Sequence, residues 1–133
     1  MSRESALHVS LVELVASEIR RQHGHLYSLV VLIDLPKFGR NRPAHIGGYV
    51  PDVFALDVPE TCRLIGEAKT AVDLETQRSE KQIQAFLRHL SVFPNSGFYL
   101  SVPWFCRTRA QVLVASVAQS VGASGVAIHV IGG

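Results

Sequence analysis

The sequence predicts an α/β domain whose mixed sheet carries helices on its faces, with elements in the order αβββαβαβ. Three observations predict it. Apolar residues recur at spacings of three and four in separate helical segments. β-Branched and aromatic runs, bounded by Gly, Pro and Asn, alternate with those segments. A tight turn at 59–61 joins two of the strands into a hairpin.

In chain order, residues 6–22 read as an amphipathic helix, with Leu7, Leu11, Leu14, Val15 and Ile19 on one face and His23-Gly24 as the stop. Residues 27–35 read as a buried strand. Residues 36–51 hold three prolines and three glycines, too broken for a helix or a central strand. A loop of that length in a compact domain is often functional. Residues 52–58 and 62–69 form the hairpin. Residues 76–93 read as the second helix, with Ile83, Phe86, Leu87 and Leu90 as its stripe. A turn at 94–97, a strand at 98–103, a helix at 105–121 and a strand at 126–131 complete the order.

A chain of 133 residues suits a single domain over 1–133. Its 47% apolar and 18% charged residues argue against disorder. No apolar run is long enough to span a bilayer, and Glu4, Glu13 and Glu18 break any signal-like pattern. A soluble cytoplasmic protein is expected. On that reading Cys62 and Cys106 are reduced, partly buried thiols. No Cys/His set has zinc spacing. The net charge of +2 is too weak to predict a polyanion partner by itself. Its distribution is more informative, because Lys37, Arg40, Arg42 and His45 crowd the Gly/Pro-containing loop.

The chemistry concentrates in Pro51-Asp52 and, after fourteen intervening residues, Glu67-Ala68-Lys69. In a hairpin turned near Pro59-Glu60 the start of one strand lies beside the end of the other. Asp52 opens its strand, and Glu67 and Lys69 close theirs on one side of the pleat. Two carboxylates and an ammonium should therefore converge beside the apolar Leu64 and Ile65. Withdrawing an unpaired charge from water costs several kcal/mol, so mutual pairing or a metal must offset it. Hard oxygen donors suit magnesium or manganese, held by Asp52, Glu67 and the Ala68 carbonyl. Lys69 would orient a water or stabilise a transition state as a point charge.

These residues resemble the PD-(D/E)xK nuclease superfamily. The matching positions are Pro51, Asp52, Glu67, Ala68 and Lys69, with Gly47-Gly48-Tyr49-Val50 and Ile65-Gly66 as flanks. The resemblance covers roughly residues 6–103 and implies a restriction-endonuclease-like fold. The run from Glu67 to Asp73, followed by Ser79 and Gln82, looks most like the virus-type replication-repair nuclease branch. It implies Gln82 as a residue that positions water or phosphate. It also implies hydrolysis of DNA with magnesium or manganese, on structured or branched substrates.

Each assignment has a simpler reading. Asp52 could be a turn residue, Glu67 and Lys69 a solvated edge-strand face, and Gln82 a helix-surface amide. Asp57 and Asp73 read as structural or peripheral. Many members of the superfamily add a carboxylate from the first helix. Glu4 is favoured because the start of that helix should lie near the active edge; Glu18 reads as a helix-end residue reaching water, and Glu13 lies on the solvent face. The Lys37–His45 loop is expected to grip phosphates, with Arg78, Lys81 and Arg88 extending the contact. Trp104 and Phe105 read as core or interface before base-stacking groups. The apolar helix at 105–121 is either well buried or a dimer face. A homodimer is expected, since cutting both strands needs two active sites. The competing reading is a non-catalytic nucleic-acid-binding module or subunit with the same fold. Phosphate-loop, Gly-x-Ser-x-Gly and dinucleotide fingerprints are absent from the sequence.

Overall fold

The computed structural model describes residues 5–26 and 28–133. Tyr27, assigned to the first strand, and the candidate Glu4 lie outside the described residues. Among those described, the order is α1 (Ala6–His23), β1 (Leu29–Ile33), β2 (Val53–Asp57), β3 (Arg63–Ala68), α2 (Ala71–Leu74), α3 (Gln77–Ser91), β4 (Ser96–Val102), α4 (Arg107–Val121) and β5 (Ala127–Gly132). The protein is α/β, a five-stranded mixed sheet flanked by helices. The strands lie in the order β1-β2-β3-β4-β5. The β1–β2 and β2–β3 pairs are antiparallel; β3–β4 and β4–β5 are parallel.

The strand alternation places a core on each face of the sheet. Leu64 and Ala68 of β3, with Val53 and Ala55 of β2, meet α1 through Leu11, Val12, Val15, Ala16 and Ile19. Ile65 of β3, with Phe98, Leu100 and Val102, packs against Ile83, Phe86, Leu87 and Leu90 of α3. The buried residues of α4 (Ala110, Val114, Val117 and Ala118) join that second core. Successive strand residues point to opposite faces, so Glu67 and Lys69 share the side of Ile65. Gly66 faces α1, where an added Cβ would lie 3.1 Å from both Val15 Cγ2 and Val53 Cβ. Its missing side chain lets the helix approach the sheet beside the charged cluster.

Several boundaries differ from the sequence expectation. The single helix expected at 76–93 is preceded by a separate turn, α2. Thr70 Oγ1 accepts from Asp73 N, and Thr76 Oγ1 accepts from Ser79 N, so each hydroxyl caps its own helix start. Ser96 and Gly97 belong to β4 and not to a turn, because parallel pairing with Arg63 and Leu64 extends that strand. The 36–51 segment has a 3₁₀ turn at Pro36–Phe38 and an isolated bridge between Ile46 and Tyr49. Cys62 and Cys106 are buried free thiols. Among the described residues no helix is long and apolar enough to cross a membrane.

Candidate active site

The hairpin register brings the carboxylates together. Val53 pairs with Gly66, so the next position outward sets Asp52 across from Glu67. The pairing is reciprocal and side chain to backbone. Asp52 N donates to Glu67 Oε1 at 2.8 Å, and Ala68 N donates to Asp52 Oδ2 at 2.8 Å. Each carboxylate thus takes over a backbone donor of the opposite strand, which ties both side chains to the sheet end.

The hairpin turn is held from its far end by Asp57. Its carboxylate accepts from Cys62 N at 2.7 Å and from Thr61 Oγ1. Those bonds hold the Asp57 carboxyl below the ordinary range, the Thr61 hydroxyl contributing most. Asp57 is structural and remote from the cluster, as its place in the strand suggested.

Lys69 completes the cluster. Its Nζ lies 3.4 Å from Glu67 Oε2 and donates to Gln82 Oε1 of α3. Glu67 is 2% exposed, Lys69 7% and Gln82 9%. None is a solvated surface group. Burial, then the neighbouring Asp52 carboxylate, pushes the Glu67 carboxyl well above the usual range; the Lys69 ammonium opposes that shift. The charge is unevenly placed: the buried Glu67 carboxyl has the Lys69 ammonium beside it, while Asp52 is partly exposed and has His8 Nε2 nearby.

These groups line a cleft of about 290 Å³ with His8, Val50, Asp73, Thr76, Arg78 and Ser79. Asp73 is therefore part of the cleft wall, closer to the cluster than its peripheral assignment implied. Arg78 also stands over the Tyr49 ring, 5.3 Å from its centroid.

The first helix contributes a residue that sequence reading missed. His8 Nε2 lies 3.5 Å from Asp52 Oδ1. The signal for it in the sequence is a polar side chain near the start of α1. Of the described first-helix carboxylates, neither joins the cluster. Glu13 pairs with Lys37 at 3.7 Å. Glu18 accepts from Arg21 and Gln22, which hold its carboxyl down to about 2.

The basic loop does not reach the cleft wall. Lys37 is engaged by Glu13, and Arg42 lies 3.6 Å from Asp34. Asp34 N donates to Asp52 O at 2.8 Å, which puts Arg42 one ion pair away from the cluster. Arg40 is exposed. His45 lines a different depression with Phe54, Arg63 and His89. Lys81 and Arg88 are exposed on α3. Trp104 and Phe105 are 73% and 65% exposed, so they are not core.

The chemistry of the donor set suits a hard divalent cation. Asp52 and Glu67 supply two carboxylates, and the site lacks sulfur and neutral imidazole clusters that would favour softer ions. Among the described residues no group of three or more His, Cys, Asp or Glu side chains gathers as a metal site. Among the described residues, a ligand set here would add main-chain oxygen or water to the two carboxylates. Comparison of the chain with family models, curated proteins and solved structures finds no match.

Proposed function

We propose that this chain is a divalent-metal-dependent nuclease that hydrolyses phosphodiester bonds in DNA, with structured or branched DNA as substrate. On this reading its sheet is the restriction-endonuclease-like core of the PD-(D/E)xK superfamily, with the motif of the virus-type replication-repair branch. The observation that carries the proposal is the convergence of Asp52 and Glu67 from adjacent strands beside a buried Lys69, which Gln82 holds from α3. A purely structural role explains this poorly, since burying the Glu67 carboxyl next to a second carboxylate opposes folding.

Asp52, Glu67 and the Ala68 carbonyl would hold magnesium or manganese; magnesium commonly uses one or two carboxylates and keeps waters and substrate phosphate as its other ligands. Bound there, the ion supplies a lowered pKa for the attacking water and neutralises charge on the phosphate. The chain's own groups do the rest. Lys69 presents a positive charge beside the reacting phosphate, and Gln82 fixes the direction of its ammonium. His8 orients Asp52. Arg78, which lines the cleft, holds a phosphate that flanks the cut, and the exposed Arg40 of the basic loop would meet the backbone farther from it. A homodimer would supply the second site needed to cut a duplex on both strands.

The test is cleavage of plasmid, single-stranded, flapped and four-way-junction DNA in manganese or chelator, with Glu67→Ala and Lys69→Ala as comparisons. Metal-dependent cutting is expected for the wild type, falling by about a hundredfold or more in both variants. No cutting on any substrate, or cutting that survives in both variants, rejects the proposal. Salt-dependent DNA retention without cutting is the result expected of a binding module instead.

A further inference from the structure

We infer that Trp104 and Phe105 form a stacking platform for unpaired nucleobases, which makes DNA with a single-stranded segment beside the cut the preferred substrate class. The inference rests on the nuclease reading of the cleft, and deepens it.

The two rings are large and open to solvent, at 73% and 65% exposed, although a domain of this size has room to bury them. They meet edge to face, with centroids 5.8 Å apart and planes at 88°. That is a favoured arrangement for an aromatic pair. Their backbone is also anchored: Trp104 N donates to Gly133 O, and Cys106 N donates to Pro103 O. An exposed aromatic pair on anchored backbone offers ring faces on which a base can stack.

Position links the pair to the cleft. Lys69 N donates to Ser101 O at 3.0 Å, so the ends of β3 and β4 lie side by side, and Trp104 follows three residues after Ser101. Phe105 lines a groove of about 370 Å³ with Ala71, Val72, Glu75 and Arg109. Asp73 and Thr76, from the same short segment, line the cleft that holds Asp52, Glu67 and Lys69. Residues 71–76 are thus a shared wall: carboxylates and ammonium on one side, aromatic groove on the other. Val72, 77% exposed, crowns that wall.

The charge that favours nucleic acid as the occupant is Arg107, exposed at the start of α4 next to the rings; Arg109 is half-exposed and already paired with Glu75 at 2.6 Å. Arginine beside exposed aromatic faces suits a strand that offers a phosphate and a base at each step. A paired duplex keeps its bases stacked and has no face to offer the rings, whereas a flap or gap does.

The experiment is binding in chelator, which separates it from any cutting. Trp104 is the sole tryptophan in the chain, so its emission reports the platform directly. A dye-labelled oligothymidylate should quench that emission. In anisotropy titrations, Trp104→Ala/Phe105→Ala should weaken oligothymidylate binding by roughly tenfold or more and leave a blunt duplex nearly unchanged. Trp104→Phe should retain most of the affinity. Circular dichroism checks that the surface substitutions leave the fold intact. Absence of quenching, or equal loss on single strand and duplex, overturns the platform. So does a double variant that binds single strands normally but loses self-association, since the patch is then a contact between copies. Failure of the nuclease reading looks different: quenching and selective binding with no cutting on any DNA in manganese.

Discussion

Replacing Lys69 with methionine removes one charge from the buried cluster while keeping an unbranched stem of similar length. Glu67, 2% exposed, then has burial and the Asp52 carboxylate pushing its carboxyl upward, with the ammonium 3.4 Å away no longer opposing them. A carboxyl whose folded-state pKa lies above its unfolded value destabilises the protein as pH rises from the unfolded to the folded value, and the loss is constant above that. Lys69→Met raises the folded value further and widens the window. From the ordinary carboxyl value of 4.5 up to the wild-type folded value the two should fall in parallel, separated by a pH-independent deficit for the lost Gln82 bond, and they should diverge only above the wild-type folded value. The divergence grows by at most about 1.4 kcal/mol per pH unit. It saturates near the roughly 3–5 kcal/mol typical of losing one partner of a buried pair. With an unfolding entropy of about 0.3 kcal/mol/K for a chain this long, that is about 5 °C in Tm per pH unit and about 11–18 °C in full. Urea titrations and thermal melts in chelator, from about pH 4.5 to the alkaline limit of the folded state, measure it. A deficit of the same size across that whole range would refute the electrostatic account and assign the loss to packing.

Two further perturbations probe the scaffold. Asp57→Ala should destabilise the hairpin turn, because Cys62 N and the Thr61 hydroxyl lose their acceptor. The wild-type carboxyl is held below its usual range, so the stability it adds is present at neutral pH and lost as pH falls through the folded value. The gap in urea midpoint between wild type and variant should accordingly shrink in acid; a constant gap would point to backbone effects. Gly47→Ala should cost more than about 1 kcal/mol. The residue has φ +60, and an added Cβ would lie 2.8 Å from Ala85 Cβ, so α3 or the 36–51 segment must shift. A neutral result in thermal melts would mean that the loop moves freely away from α3.

What could be read from the chain alone was whatever depends on local periodicity and short-range geometry. The α1 stripe of Leu11, Val15 and Ile19, the α3 stripe of Ile83, Phe86, Leu87 and Leu90, and the 52–69 hairpin are written in spacings that the structure reproduces. The meeting of Asp52 with Glu67 was equally legible, because a hairpin register follows from one turn. The two threonine caps that divide 70–91 into α2 and α3 were not, since a threonine hydroxyl can bond locally or stay free at either position.

Tertiary packing decided the rest. Whether Glu67 and Lys69 face solvent or a closed interior depends on α3 closing over that sheet face, and this placed Gln82 on the Lys69 ammonium. The approach of His8 to Asp52 depends on where α1 crosses the sheet, which Gly66 permits. The pairing of Lys37 with Glu13, and the exposure of Trp104 and Phe105, likewise depend on residues distant in sequence. The residue types for the proposed chemistry were determined by the sequence. Their burial, partners and protonation depend on contacts between elements, because desolvation and Coulomb forces act through space and leave no periodic trace along the chain.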